Sequence, residues 1–384
     1  MELQSFFYTP KNHWSIQPFP ELDSPQTLIL VFGASEYVDR PQPIIDLVEA
    51  YPQSIVIGCS TSGEIFNNIV RDHSLSVAAI RFSHTPLALA TAAVTSSESS
   101  FYAGQAIAKQ LHTETLRGVL VLSDGTSTNV NGSNLVRGIN STLPESVIVT
   151  GGLAGDGDRF ERTWVINDGK PQSGYVAAVG FYGDHIQIGH GSKAGWRIFG
   201  PERRVTRSKE NVLYELDGQP ALALYKKYLG DRAADLPASA LLFPLSIRAN
   251  SQAQQQFVRT ILSVDEEEQS MTFAGDIPEG YLAQLMRASF NGLVDGAAEA
   301  ASMARQEIPE ANDTLAIAIS CVGRRLVMGE YTEDELGAAL EVLPKGVQQV
   351  GFYSYGEISP FALGFCDLHN QTMTMTTISE TKPA

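Results

Sequence analysis

One short stretch, Cys59-Ser60-Thr61-Ser62-Gly63-Glu64, sets a thiol, three hydroxyls, a glycine and a carboxylate in six consecutive positions. Gly58 and Gly63 give the backbone access to positive φ, so amides can converge on an anionic group while Ser60, Thr61 and Ser62 add hydroxyl donors. A carboxylate or phosphate suits such a nest; the plainer reading is a strand-to-turn connection whose hydroxyls cap local backbone. A copy near the other end, Gly351-Phe352-Tyr353-Ser354-Tyr355-Gly356-Glu357, brings in two tyrosines, and a degenerate one, Gly151-Gly152-Leu153-Ala154-Gly155-Asp156, lies between them. Glu64, Asp156 and Glu357 thus follow a glycine in every copy. Paired carboxylates perform acid and base catalysis when their environments split their pKa values. No nucleophile and base accompany these three, which favours recognition of an amine or a hydrogen bond that fixes the loop.

Two other groups carry chemistry. Asp124 opens the polar run Asp124-Gly125-Thr126-Ser127-Thr128-Asn129, a place for loop closure or ligand contact; the glycine and lysine spacing of a nucleotide phosphate loop is absent. Cys321 is followed by Arg324 and Arg325, cations that lower a thiol pKa or hold a ligand carboxylate. A cysteine-dependent acyl-transfer enzyme using Cys59 or Cys321 is the catalytic alternative. No histidine is placed nearby as a base, so a small packed cysteine is the simpler reading, and Arg324 the better candidate for ligand contact.

The elements that position these groups repeat. Strand Thr27 to Phe32, helix Pro43 to Ala50 and strand Ser54 to Ile57 precede the first glycine loop. A strand at Gly118 to Leu122, a helix near Asn134 to Thr142 and a strand from Val147 precede the second. Thr314 to Ile319, a helix opened by Thr332-Glu333-Asp334-Glu335 in capping-box style, and Val347 to Gly351 precede the third. Upstream, Leu75 to Phe82, Leu87 to Val94 and a helix at Ala103 to Leu111 find counterparts in Phe257 to Leu262, Ser270 to Ala274 and a helix Tyr281 to Arg305, which suggests duplication. A further helix is expected over Asn211 to Leu229, after a strand-rich stretch from Thr163 to Ile188. The predicted fold class is α/β: two related halves, residues 1–200 and 201–384, built of repeated strand-helix-strand-glycine-loop units with a strand-rich connection.

A formal charge of −16, from 43 acidic and 27 basic residues, repels phosphate backbones and anionic lipid, so nucleic acid is excluded as the expected partner. Three cysteines without a CxxC pair suggest neither a disulfide framework nor structural zinc. No run approaches the roughly 18 apolar residues of a membrane span, and the first residues lack basic and apolar signal regions, so a cytoplasmic protein without membrane insertion is expected. The seven histidines include no metal-binding spacing.

In order along the chain, the Cys59 to Glu64 stretch, Gly151 to Asp156, Cys321-Val322-Gly323-Arg324-Arg325 and Gly351 to Glu357 resemble the FIST proteins, bacterial intracellular sensory modules with N-terminal and C-terminal FIST regions. The resemblance spans nearly the full length. It implies a non-catalytic sensor of a small molecule, serving a partner histidine kinase or cyclic-di-GMP enzyme. Some FIST proteins bind haem and sense nitric oxide, and Gly189-His190-Gly191 through Tyr225 to Gly230 is similar to that subgroup. Haem b is then the expected cofactor, with His190, flanked by glycines and followed by Trp196, as its iron ligand. An amino-acid sensor without haem is the alternative. The glycine loops are the expected pocket builders: Cys59 to Glu64, Asp124, Gly152, Asp156, Cys321, Arg324, Tyr353, Tyr355 and Glu357.

Overall fold

Three apolar runs, Thr27–Ala34, Leu116–Ser123 and Leu315–Cys321, are buried along almost their whole length, as expected of strands covered on both faces. In the computed structural model, which describes residues 1–126, 129–236, 238–253, 255–305, 313–360 and 365–381, each forms the centre of its own sheet. Each is followed by a helix and a parallel neighbour: α1 (Gln42–Ala50) with Ile55–Thr61, and, after α2 (Ser97–Leu111), α3 (Gly132–Asn140) with Ile148–Leu153. The third unit holds a strand-rich insertion with helix α4 (Ala221–Leu229), then α5 (Phe290–Arg305), α6 (Val322–Met328) and α7 (Thr332–Val342), the last leading to Gln348–Ser354.

The sheets share one strand order. Outer strands Glu2–Thr9, Leu87–Ala93 and Ile186–Lys193 pair with returning strands Leu75–Arg81, Tyr175–Tyr182 and Met373–Glu380, which pair in turn with the central strands. The far edge of each sheet is supplied by another unit. After its glycine loop, unit one sends strands Glu64–Phe66 and Ile69–Arg71 to sheet three, unit two sends Val165–Asn167 and Lys170–Gln172 to sheet one, and unit three sends Gly356–Pro360 and Cys366–His369 to sheet two. The three units therefore form a closed ring, with hairpins exchanged cyclically.

Alternation along the central strands divides the core. Leu28, Leu30 and Phe32 meet Leu120, Leu122, Ile317 and Ile319 in an inner cluster common to all three sheets, with Phe32 stacked on Phe352 at 4.9 Å. Ile29 and Val31 face outward beneath α1, Val119 and Val121 beneath α2 and α3, and Ala316 and Ala318 beneath α5 and α7.

The α/β class and the repeated units are borne out. Details of the expected duplication differ. Strands Phe257–Arg259, Ile261–Asp265 and Ser270–Phe273 belong to the insertion, which carries its own core around Leu213, Leu222, Tyr225 and Phe273. The helix expected over Asn211 to Leu229 is a strand, Val212–Leu216, then α4, because Asp217 and Gly218 turn with φ of 51° and 71°. Likewise Leu282–Arg287 is a strand and α5 begins at Phe290. No helix among the described residues is long and apolar enough to cross a membrane.

Candidate functional site

The glycine loops meet at the centre of the ring. Gly155 N–H donates to Ser60 O (3.0 Å), Tyr355 N–H to Leu153 O (3.2 Å) and Ser62 N–H to Tyr353 O (2.8 Å). Ser60, Leu153 and Tyr353 hold the same register beside their central strands, so each unit donates to the next and the circuit closes. Close approach explains the glycines: a Cβ on Gly155 would lie 2.2 Å from Ser62 Oγ, and one on Gly151, at φ 147°, 1.8 Å from Val121 O. Gly152 sits in the strand beside this junction, with Ile319 and Phe352 against the space a side chain would take.

Three buried carboxylates clamp the returning strands. Glu64 accepts from Ser74 N (2.9 Å), Ser74 Oγ (2.8 Å) and Thr61 Oγ1; Glu357 accepts from Thr372 N (3.2 Å), Thr372 Oγ1 (2.7 Å) and Ser354 Oγ (2.7 Å). In unit two the same task falls to Asp124, which receives Gly174 N–H (2.6 Å) and the hydroxyls of Thr126 and Thr163. Its neighbours Ser127 and Thr128 lie outside the described residues. Burial raises Glu64 to about 8 and Glu357 to about 7 against the opposing pull of these donors. Asp156, grouped by sequence with Glu64 and Glu357, is not their equivalent. That place is held by Val165, paired with Cys59 as Glu64 pairs with Phe352 and Glu357 with Gly152.

Asp156 instead builds a wall. Its carboxylate accepts from Phe160 N (3.0 Å), Glu161 N (3.1 Å), Arg162 N (2.8 Å) and the Tyr355 hydroxyl. This holds Phe160 at φ 56°, an unusual conformation for an aromatic residue, with its ring stacked on Tyr355 at 4.3 Å and 16°. The stack borders a cleft of about 320 Å³ between the ring and the insertion. From the ring come Leu153, Gly125, Val130 and the first residues of α2 and α3, Ser97 and Gly132, the latter capped by Asn131. From the insertion come Leu262, Ser263, Thr272, Phe273 and the Glu210-Asn211 turn, fixed by Asn211 Nδ2 donating to Phe273 O at 2.7 Å. No lysine or arginine lines it among the described residues. Two helix N-termini and side-chain polar groups thus face an anionic group, while aromatic and aliphatic walls face an apolar one.

A FIST N domain model matches residues 27–219 and a FIST C domain model residues 221–360. The chain belongs to the FIST family. FIST domains are small-ligand-binding sensor domains of signalling proteins. No curated protein matches the sequence. Among solved structures, a cyanuric acid hydrolase from A. caulinodans aligns over 99% of each chain at 8% identity with a TM-score of 0.35, a likeness too distant to carry an argument.

Of the residues that the FIST resemblance and the loop chemistry single out, Tyr355 lines the cleft directly and Asp156 holds its wall through Phe160, while Asp124 stands behind the lining residue Gly125. Others are placed elsewhere. Cys59 is fully enclosed in the inner core, and burial raises its thiol pKa well above the ordinary range; the same holds in direction for Cys321. Neither thiol is brought to a histidine or a cavity described here. Ser60 and Thr61 cap the Trp164 amide and Glu64, Ser62 binds Gly157, and Arg325 lies across Gly63. Arg324 is the largest departure: it is 0% exposed and paired with Glu335 at 2.7 Å, with further bonds to Leu293 O and Ala194 O. Tyr353 and Ser320 also donate to Glu335. Glu335, read as a capping-box residue, turns inward because a buried guanidinium requires a counter-charge. Phe160, Asn131 and Asn211 were missed; a lone aromatic in a charged loop and two asparagines carry no periodic signal.

His190 lies on the opposite face of its strand from the two glycines that flank it. It sits half-buried within a strand, and the flanking glycines serve helix packing: Cβ atoms on Gly189 and Gly191 would lie 2.1 Å from Ala304 O and Ala300 O of α5. Their close approach is therefore to α5 and not to a macrocycle at His190. No group of three or more metal-ligating side chains occurs among the described residues.

Proposed function

We propose that this FIST protein is a non-catalytic sensor that binds an α-amino acid with an apolar or aromatic side chain in the cleft between ring and insertion. The observation that carries this reading is the Phe160–Tyr355 stack, pinned by Asp156 at the mouth of a cavity of about 320 Å³ that also receives two helix N-termini. The carboxylate is taken by the α2 and α3 ends with Ser97 and Asn131, the ammonium lies toward Glu210, and the side chain packs on Phe160, Leu153 and Phe273. A cavity without a cationic side chain suits a single carboxylate better than a polyphosphate. The walls come from two bodies, so the ligand draws them together, and a partner histidine kinase or cyclic-di-GMP enzyme reads the closed state. The glycines that single out His190 are accounted for by packing on α5, so the nitric-oxide reading through haem gains no support from them and is the second choice.

The test is a thermal-denaturation panel of the twenty amino acids at millimolar concentration, because a ligand bound by the folded state must raise the midpoint. Apolar or aromatic members should stabilise the native protein, and Phe160→Ala should lose the effect. A flat panel would refute the reading.

A further inference from the structure

We propose that a second cleft, on the flank of α3, binds a compact zwitterion, with Arg259 receiving its carboxylate and Asp367 its cationic group. This cleft, about 270 Å³, lies between α3, the strand Cys366–His369 and the insertion. Arg259 is 4% exposed, and Nε and Nη1 donate to the carbonyls of Asp276, Val258 and Leu368; Nη2 makes no hydrogen bond among the described residues. No carboxylate lies within ion-pair distance of it among those residues. Asp367 and Asp276 act on this charge from beyond contact distance and the Phe257 ring lies 5.1 Å from it, so the buried guanidinium is only partly compensated, which is costly. Asp367 lines the same cavity, and among the described residues its carboxylate accepts only the next amide, Leu368 N–H, at 2.9 Å. The second carboxylate at the rim, Asp276, is already occupied by Asn131 Nδ2 (3.1 Å) and Arg137 (3.8 Å).

The cavity therefore presents a cation and an anion that attract each other without coming into contact. A molecule bearing both charges satisfies both at once, whereas a simple anion leaves Asp367 unpaired and a simple cation leaves Arg259 unpaired. Asn140 and Tyr281 stand at the polar wall, and Phe257 and Ile247 supply an apolar floor. The Asp276 contacts with α3 separate this cleft from the one bounded by Phe160, so the two sites are distinct and share a latch.

Calorimetric titration of the Phe160→Ala protein, which removes the first cleft's stack, decides the matter. The probes are glycine, γ-aminobutyrate and glycine betaine, with acetate and methylamine as single-charge controls. At least one zwitterion should bind and neither control should. Asp367→Asn, which among the described residues gives up one local hydrogen bond, should weaken that binding roughly tenfold to a hundredfold, the worth of a charged hydrogen bond. Arg259→Lys should weaken it too, with circular dichroism confirming the fold. Absence of zwitterion binding to Phe160→Ala at about 10 mM, where even weak complexes fill, would overturn the proposal, as would undiminished binding by Asp367→Asn. Loss of the first cleft's amino-acid response leaves these readouts untouched, so the two readings fail separately.

Discussion

Replacing Gly155 by alanine tests the closure of the ring where the loops of units one and two meet. The new Cβ would stand 2.2 Å from Ser62 Oγ and 3.0 Å from Ser62 N, so the serine hydroxyl must leave its place. That hydroxyl is committed to Gly157 N at 3.1 Å and Gly157 O at 3.2 Å, bonds worth about 1 kcal/mol each. Overpacking itself costs roughly 1–3 kcal/mol, and the lost flexibility of glycine in the unfolded chain returns about 0.4–1. The expected net loss is about 2–4.5 kcal/mol, read as a lower urea midpoint with unchanged slope. Ser62→Gly in the same chain removes Oγ and Cβ, leaving the backbone nitrogen as the close contact. The double variant should therefore be more stable than the sum of the two single losses, with a coupling of about 1–2 kcal/mol. A Gly155→Ala protein as stable as the parent, or strictly additive effects, would refute the close packing of these loops.

The raised carboxyls give a signed pH dependence. Glu64 and Glu357 ionise near 4.5 when unfolded but at about 8 and about 7 when folded, so the folded state holds extra protons and stability falls as pH rises. His369, lowered to about 4 by burial, acts only below its unfolded value of 6.5, which leaves the range from there to about 8 for the carboxyls. Urea midpoints across that range should decline in the parent and flatten in Glu64→Gln; an unchanged slope would show that Glu64 is ionised in the native protein. Glu335→Gln should cost about 3–5 kcal/mol by stranding Arg324, and pairing it with Arg324→Met should recover part of that in the same assay; no recovery would count against charge as the cause. Asp156→Asn should loosen residues 157–162 and weaken amino-acid binding by calorimetry more than it lowers stability, because three amides and the Tyr355 hydroxyl depend on that carboxylate.

Much of this was legible in the residues. Gly58 to Glu64 and Gly351 to Glu357 announced repeated units because a buried strand ending in a close approach demands β-branched residues and then glycine. The cyclic exchange of hairpins was not legible, since the alternation of Glu64–Phe66 says which face is buried but not which sheet the strand joins. The helices expected at Asn211 and Tyr281 misled because short apolar runs suit either period until a turn such as Asp217-Gly218 interrupts them. Arg324 and Asp156 show the same limit for sites. A charged residue beside a glycine loop signals importance, but whether it meets a ligand or a buried partner depends on Glu335 and Tyr355, far away in sequence.

The central claim is that an amino acid is held between ring and insertion. Amide hydrogen exchange with and without the most stabilising amino acid addresses it directly, since both walls must slow together when the cleft is filled. The expected result is protection of residues 157–162 on the ring and 262–274 on the insertion, with the strand carrying His190 unchanged. Binding accompanied by protection elsewhere and none on either wall would contradict the account.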